Sequence, residues 1–223
     1  MAAQFDQVAF DLDGTLVDSA DDLIASVHHV LASLGRPRLP ASTVRGFVGN
    51  GARALVQQAM TAVGETRVDL ALDRFLAHYG AHLLDRTRPY PGIPSLLDAL
   101  AAAAVPLAVL SNKPVALCRS ILAGLGWTAR FAVVLGGDSL PTRKPDPAGL
   151  SALRRRGGGS PGRLLLVGDS LVDLETARAG GASFCGVGWG LAPAVLRAAQ
   201  PERWVDHPSE LVAVVLGDGA SVD

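Results

Sequence analysis

The feature that most constrains this sequence is an apolar run near its start that ends abruptly in two aspartates. Residues 7–10 (Gln-Val-Ala-Phe) lead directly into Asp11, Leu12, Asp13 and Gly14. A run of this kind is typical of a short buried parallel strand. Because side chains alternate along a strand, Asp11 and Asp13 are expected on one side of it. Two such carboxylates repel each other unless a cation lies between them, so the stretch indicates either a charged site or a plain Asp-Gly turn.

Composition limits the partners that the chain can have. Of its 223 residues, 49% are hydrophobic and 18% are charged, which predicts a globular fold with one core, or with a core plus a small second unit. The net charge is -1. We therefore expect no surface for nucleic acid or for an anionic membrane, and an anionic substrate must be bound by a few local groups.

Several features predict a soluble cytoplasmic protein. The longest apolar tract, residues 96–110, is interrupted by Asp98 and Pro106 and is too short to span a bilayer. No secretory signal precedes the first strand. Cys118 and Cys185 lack the spacing of metal ligands and do not indicate a disulfide framework, which fits a reducing compartment.

The first third of the chain is predicted to be helical. Ser19 and Asp21 offer N-cap chemistry for a first helix, and helical periodicity covers residues 23–34, 41–48, 52–63 and 67–85. Prolines and a glycine in residues 86–92 indicate a linker. Residues 17–91 are therefore predicted to form an inserted helical cap.

From residue 93 onward, helical and strand patterns alternate. Strands are predicted at 106–110, 131–135, 164–167, 182–187 and 204–205, helices at 93–103, 114–124, 147–156, 171–179 and 208–216, and a glycine-rich loop at 157–162. This alternation predicts an α/β fold with a doubly wound parallel sheet, formed by residues 1–16 and 92–223. Ligands bind beyond the carboxyl ends of such strands, where Asp11, Ser111 and Asp169 are expected.

Four short segments in register carry a family resemblance. Residues 11–19 resemble the first motif of the haloacid dehalogenase superfamily of phosphatases, and the later motifs match residues 109–113, 143–147 and 166–173. The resemblance covers most of the chain. It implies a Rossmann-like core with a helical cap, and hydrolysis of a phosphate monoester of a small metabolite with Mg²⁺ as cofactor.

The chemistry of phosphate transfer explains why these residue types occur together. A phosphate dianion at 4 Å from a carboxylate is repelled by about 8 kcal/mol at an effective dielectric constant near 20. Lys144 and a metal ion are the two sources of compensating charge. Asp11 is then the candidate nucleophile and Asp13 the general acid and base, roles that the resemblance also implies. Lys113 and Lys144 are the only lysines in the sequence, and Lys144 matches the family's charge-neutralising lysine.

The remaining motif residues are candidates for binding phosphate and metal. Ser111 offers a hydroxyl, and backbone amides near Gly14 and Asn112 offer further donors to the phosphoryl oxygens. The candidate Mg²⁺ ligands are Asp11, Asp13, Asp169 and Asp173, with Asp13 contributing its backbone carbonyl through the resemblance. Asp173 is equally well explained as an acidic residue in the first turn of a helix.

Other functions share part of this pattern. A phospho-accepting receiver domain uses similar residues but is shorter and lacks a helical insert. A carbon-halogen hydrolase needs neither a metal nor an acid at Asp13, and cleavage of a carbon-phosphorus bond through a cap lysine is excluded because residues 17–91 contain no Lys. Sugar-phosphate mutases and generalist phosphatases remain alternatives.

Within the superfamily, the sequence most resembles phosphoglycolate phosphatases. The similar segments are residues 9–19, 48–53, 90–92, 136–138 and 168–170, whereas residues 186–191 depart from the pattern. For a small acid, Arg53 or Arg45 beside the turn at residues 49–51 is a candidate for pairing with the substrate carboxylate. Both arginines are equally well explained as solvated helix residues.

Overall fold

The structure, a computed structural model, describes residues 3–156 and 163–217, and the glycine-rich loop predicted at 157–162 lies outside this part of the chain. The strands described are β1 (Gln7–Phe10), β2 (Val17–Asp18), β3 (Arg88–Pro89), β4 (Leu107–Leu110), β5 (Val133–Leu135), β6 (Leu164–Gly168), β7 (Ser183–Val187) and β8 (Trp204–Val205). The α-helices described are α1 (Ala20–Ser33), α2 (Ala41–Arg45), α3 (Ala52–Ala62), α4 (Val68–Ala81), α5 (Ile93–Ala102), α6 (Val115–Gly124), α7 (Ala148–Arg156), α8 (Leu171–Gly180), α9 (Pro193–Ala198) and α10 (Glu210–Leu216).

Within the described residues, six strands form one parallel sheet in the order β5-β4-β1-β6-β7-β8. The strand β1 lies in the middle, with Phe10 opposite Val109 of β4 and Val167 of β6. All four of its residues are buried. Val8 and Phe10 belong to one hydrophobic cluster and Ala9 to another, because alternate side chains face the helices on opposite sides of the sheet. The predicted doubly wound parallel sheet is confirmed.

Some predicted boundaries differ from the structure. The helix predicted at 41–48 ends at Arg45, because the next amides bond three residues back (Val48 N–H to the Arg45 carbonyl, 3.2 Å) and tighten the chain into turns. The helix predicted at 67–85 ends at Ala81 in a similar way. The strand predicted at 131–135 begins only at Val133.

Residues 20–81, all of which the structure describes, form the four helices α1 to α4, here called the helical insert. The chain enters and leaves it through β2 and β3, which pair antiparallel with Val17 opposite Pro89. Buried Asp22 of α1 accepts hydrogen bonds from the backbone amides of Arg86 (3.1 Å) and Thr87 (2.8 Å). The two passages of the chain are thus joined side by side, and the domain boundaries at residues 17 and 91 stay a prediction.

The predicted capping role of the Ser19 side chain is wrong. Ser19 occupies the N-cap position of α1, but within the described residues its side chain makes no capping hydrogen bond. Its hydroxyl instead donates to the Asp13 carboxylate. The backbone of Ser19 (φ -107°, ψ 3°) lies outside the extended region typical of a capping residue, and its hydroxyl is oriented toward Asp13, so Ser19 serves the first motif rather than the helix.

None of the helices in the described ranges combines the length and the apolar character that crossing a membrane requires.

Candidate active site

The sheet topology brings the first, second and fourth motifs to one edge. Asp11 directly follows β1, Ser111 follows β4 and Asp169 follows β6, and these three strands are neighbours. Lys144 reaches the same place from the loop between β5 and α7. All four side chains belong to residues that are at most 5% exposed. The site is therefore a buried cluster of charges at the carboxyl end of the sheet, as expected for a doubly wound fold.

Lys144 forms ion pairs with two of the aspartates. Its Nζ lies 3.0 Å from Oδ1 of Asp11 and donates to Oδ1 of Asp173 at 2.6 Å. Burial alone lowers the pKa of Lys144, but Asp11 and Asp173 outweigh it and hold the pKa above its usual value. Burial raises the pKa of Asp11 to about 6, an effect that Lys144 opposes and that Asp173 and Asp13 increase. Lys144 is thus charged, and the cluster has more carboxylates than this cation can balance.

Asp169 is fixed by contacts from two loops. Its carboxylate accepts hydrogen bonds from the Thr15 hydroxyl (3.2 Å) and from the Leu191 amide (2.9 Å). Gly14 lies so close that a Cβ at this position would come 2.2 Å from Oδ2 of Asp169, and its φ of +86° also favours glycine. Burial, then repulsion from Asp11 and Asp173, raises the pKa of Asp169 to about 8.

The donor set fits a divalent cation. Asp11, Asp169 and Asp173 are buried, and one carboxylate oxygen of each lies within 4.8 Å of the others. Oδ1 of Asp11 is fully buried and, apart from its ion pair with Lys144, has no hydrogen-bond partner among the described residues. An all-oxygen set of this kind suits a hard ion such as Mg²⁺ or Ca²⁺. A cation here would relieve the same repulsion that raises the pKa values of Asp11 and Asp169.

Asp173 has partners on both of its oxygens. Oδ1 accepts from Lys144, and Oδ2 accepts from the Ser170 hydroxyl at 2.6 Å and the Ser170 amide at 3.2 Å. The last contact belongs to a capping box, in which the Ser170 hydroxyl accepts from the Asp173 amide at the start of α8. Asp173 therefore caps the start of α8 and orients Lys144. Its role as a metal ligand stays a prediction.

Asp13 sits in a separate polar cluster on the pocket side. Its two carboxylate oxygens each accept a hydrogen bond of 2.8 Å from Lys113 Nζ. The same ammonium donates to the hydroxyl of Tyr79, on α4 of the helical insert, at 2.7 Å. Burial opposes the charge of Lys113, but Asp13 and Tyr79 keep its pKa above the usual value. Lys113, the weaker candidate from the sequence, is therefore a charged partner of the candidate acid-base residue.

The second motif also contacts the helical insert through Asn112. Its side-chain amide donates to the carbonyl of Gly49 at 3.2 Å and to that of Lys144 at 3.0 Å. A Cβ on Gly51 would lie 2.8 Å from the Asn112 carbonyl oxygen, and the φ of Gly51 is +86°. The turn at residues 49–51 therefore rests directly on the catalytic edge of the core, and glycine permits that approach.

A pocket lies between this edge and the helical insert. Asp11, Asp13 and Lys113 line its core side. Its remaining wall is largely apolar and includes Leu23, Leu55, Phe75 and Leu117. The pocket therefore joins the charged cluster to a space suited to the rest of a substrate.

The two arginines predicted to bind substrate lie elsewhere in this conformation. Arg53 pairs with Asp69 at 2.9 Å, and both side chains are more than half exposed. Arg45 is 3.9 Å from Asp21, and its side chain is 40% exposed. Neither arginine is among the described residues that line the pocket. Their contact with a substrate carboxylate stays a prediction.

Several residues that shape the site carry no signal in the sequence. Trp189 donates from its indole N–H to the Thr15 carbonyl at 3.0 Å, and the nearby Leu191 amide holds Asp169. Both belong to the segment 186–191, which departs from the family pattern. Tyr79 lies on a helix whose periodicity indicates only a buried face. Thr15 alone could have been found, because it follows Gly14 inside the first motif.

The sequence was compared with protein families and with known proteins. Residues 8–187 match the family model described as haloacid dehalogenase-like hydrolase. A phosphoglycolate phosphatase of Agrobacterium fabrum is 37% identical over 88% of this chain and 86% of its own length. An N-acetylmuramic acid 6-phosphate phosphatase of Pseudomonas aeruginosa is 36% identical over 93% of each chain.

Among solved structures, a predicted phosphoglycolate phosphatase of Haemophilus somnus superimposes with a TM-score of 0.88 and 32% identity, covering 95% of this chain and 98% of the other. The family model extends from β1 to the end of β7 and includes all four motifs. This chain belongs to the haloacid dehalogenase-like hydrolase family.

Proposed function

We propose that this phosphoric monoester hydrolase is Mg²⁺-dependent, forms an aspartyl phosphate on Asp11, and acts on phosphoglycolate or a similarly small phosphorylated acid in the cytoplasm. The observation that carries the proposal is the buried Asp11 carboxylate, which faces the pocket beside Lys144 and Asp169. A nucleophile needs this combination of desolvation and nearby positive charge to approach a phosphate dianion.

The residues of the cluster have distinct roles in binding. Asp11, Asp169 and the backbone carbonyl of Asp13 would hold Mg²⁺, with Asp173 close enough to contribute. When bound, the ion supplies the positive charge that lets the phosphate dianion approach a carboxylate. Lys144 places a second positive charge beside Asp11.

The phosphoryl oxygens also need hydrogen-bond donors. Ser111 is buried beside Asp11, and its hydroxyl would donate to one phosphoryl oxygen. The amides near Gly14 and Asn112 would donate to others. Because these donors are held by the strand ends, they need little rearrangement as charge develops on the phosphoryl group.

Two transfers then complete the reaction. A carboxylate oxygen of Asp11 attacks phosphorus and the bond to the leaving oxygen breaks, while Asp13 gives its proton to that oxygen. Asp13, now a carboxylate, takes a proton from a water molecule whose oxygen attacks the same phosphorus. The bond between phosphorus and Asp11 breaks, and orthophosphate leaves with Asp11 and Asp13 in their starting states.

The substrate proposal rests on the relatives and on the pocket. The Agrobacterium fabrum relative is a phosphoglycolate phosphatase. The pocket is enclosed between core and insert, and it contains the Lys113 ammonium and the start of α3 at Gly51 and Ala52. Both are positive, the second through the helix dipole, so the pocket is compatible with a small anionic leaving group.

A sugar-acid phosphate is the second candidate. A relative of almost equal identity is an N-acetylmuramic acid 6-phosphate phosphatase, so similarity alone does not separate the two substrates. The apolar wall of Leu23, Leu55 and Phe75 would suit the larger group. The two candidates share the chemistry at Asp11 and differ only in what fills the pocket.

The test is a panel of phosphate esters assayed with Mg²⁺ and with excess chelator. We expect hydrolysis of several esters with Mg²⁺, the highest kcat/KM for phosphoglycolate, and loss of activity in chelator. Activity that persists in chelator would contradict the metal role. A higher kcat/KM for N-acetylmuramic acid 6-phosphate would replace the first substrate with the second.

A further inference from the structure

A buried chain of polar contacts joins the helical insert to the acid-base aspartate. Lys113 Nζ donates to the Tyr79 hydroxyl at 2.7 Å and to both carboxylate oxygens of Asp13 at 2.8 Å. Tyr79 belongs to α4 of the insert, whereas Lys113 follows β4 and Asp13 follows β1 in the core. An ammonium has three N–H donors, and these contacts use all of them.

Burial makes the position of Lys113 depend on both partners. Its side chain is 4% exposed and Tyr79 is 1% exposed. The ammonium also lies 4.6 Å from the centroid of the Tyr79 ring, within range of a cation-π contact. A buried ammonium is strongly unfavourable without partners. If α4 moves away from the core, Nζ loses the hydroxyl and the ring together.

The hydrogen bonds on Asp13 explain why Lys113 matters for its orientation. Lys113 contacts Oδ1 and Oδ2 at equal distance and holds the carboxyl group against its ammonium. The Ser19 hydroxyl contacts only Oδ1 and limits rotation about the Cβ–Cγ bond, so the two residues together orient the group. An acid-base residue acts only when it is aimed at the reacting oxygen.

We propose that Tyr79, acting through Lys113, is a positioning residue that aims the Asp13 carboxyl at the leaving oxygen when the helical insert closes over the core. This inference rests on the proposed function, because it requires Asp13 to act as acid and base. In the open arrangement Lys113 lacks its third partner and Asp13 is less constrained. Proton transfer is thereby tied to a closed pocket.

The test compares two substrates in Tyr79→Phe, which removes the hydroxyl and keeps the ring that stacks on Phe75 at 5.5 Å. The alkoxide of phosphoglycolate needs a proton to leave, whereas the phenolate of p-nitrophenyl phosphate does not. We expect the single-turnover rate on phosphoglycolate to fall about tenfold, the scale of one hydrogen bond to a charged group, with little change in KM. The first release of nitrophenolate should stay unchanged. Later turnovers should slow, because Asp13 also activates water, so a burst should appear.

Two further variants separate positioning from packing. Phe75→Leu disturbs the same aromatic pair but keeps the hydroxyl. Because Phe75 also lines the pocket, this variant should change KM for the two esters, but it should not produce the burst of nitrophenolate. Lys113→Met keeps the length of the side chain and removes all three donors. It should show the substrate-dependent pattern of Tyr79→Phe with a larger effect.

The outcomes distinguish this inference from the function on which it rests. If Tyr79→Phe slows both substrates equally or slows neither, the positioning role of Tyr79 is overturned, even where Lys113→Met shows the pattern. A wild-type protein that hydrolyses neither ester overturns the proposed function and the inference together. An active wild type whose Tyr79→Phe variant slows phosphoglycolate hydrolysis and leaves the first release of nitrophenolate unchanged supports both.

Discussion

The core edge and the insert side of the pocket are built from opposite kinds of contact. At the core edge, Asp11 lines the pocket, and the buried charges of Lys144 and Asp169 lie beside it. Hydrogen bonds from neighbouring loops hold Asp169 there. On the insert side, Leu55 and Phe75 present apolar surface. The core therefore provides fixed charge for a reaction, and the insert provides shape and enclosure.

This difference explains why the class of reaction can be assigned from the core, whereas the identity of the substrate cannot. In the proposed mechanism, every phosphate ester presents the same phosphoryl group to the charged cluster at Asp11, and the leaving group is the part that varies and meets the insert. Variants of Asp11, Lys144 and Asp169 should therefore slow chemistry on all substrates, whereas variants of the insert should change stability or selectivity.

The largest expected effect comes from the core cation. Lys144→Met keeps the side-chain length and removes the charge beside Asp11, so kcat should fall by about 10²- to 10³-fold on every ester, as for other groups that stabilise transition-state charge. Steady-state kinetics on two esters measure this. Arg119→Met, which removes an exposed cation on α6, is the control and should change kcat by less than about twofold. A Lys144→Met enzyme within tenfold of wild type would contradict the role of Lys144.

The connection between the two regions should be sensitive to Asp22. This carboxylate satisfies the amide and hydroxyl of buried Thr87 and the amide of Arg86. Asp22→Ala should lower the free energy of unfolding by about 2–4 kcal/mol, because several buried donors lose a charged acceptor. Denaturant titration measures the change. The adjacent Asp21→Ala removes a mostly exposed carboxylate and should cost less than about 0.5 kcal/mol, and equal losses in both variants would contradict the anchoring role.

Charge repulsion in the core should appear as a pH dependence of the metal-free protein. The pKa of Asp169 is raised from 3.8 to about 8, so the folded state binds more protons than the unfolded state within that window. Stability should therefore fall as pH rises toward 8, and Mg²⁺, which replaces those protons, should raise the Tm more at pH 8 than at pH 6. Thermal melts with Mg²⁺ and with chelator measure this. Asp169→Asn should remove most of the difference, and an equal Mg²⁺ shift at both pH values in wild type would contradict the account.

The smallest expected effect concerns the surface of the insert. Arg53 is exposed and paired with Asp69, so Arg53→Ala should change kcat/KM for phosphoglycolate by less than about twofold. Arg45→Ala is the variant to compare with Arg53→Ala. The Arg45 side chain is less exposed, and its charge acts on Tyr90 beside the site. A tenfold loss in Arg53→Ala would mean that the insert adopts another arrangement when substrate binds.

The sequence predicted the parts of the site that depend on chain topology. Asp11, Ser111 and Asp169 end three neighbouring parallel strands, so their proximity follows once those strands are recognised. Hydrogen bonds between loops that are far apart in the sequence could not be predicted in this way. The contact of Trp189 with Thr15 spans 174 positions, and that of Lys113 with Tyr79 depends on how α4 packs against the core.

The sequence also did not predict which hydrogen bond the Ser19 side chain makes. Ser19 has the residue type and position of a helix cap, yet its hydroxyl donates to the Asp13 carboxylate and accepts no bond from the helix amides. Local patterns determine which residues start a helix. They do not determine whether a hydroxyl is oriented toward the helix amides or toward a carboxylate of another loop.

The covalent step is the transfer of a phosphoryl group to Asp11, and one measurement tests it most directly. Asp13→Asn should still accept phosphate from p-nitrophenyl phosphate, whose leaving group needs no acid, but it should activate water poorly. Acid quenching followed by mass spectrometry should then find about one phosphoryl group per chain, on Asp11. A peptide containing Asp11 that carries no phosphoryl group, together with turnover in Asp11→Asn within tenfold of wild type, would contradict the account.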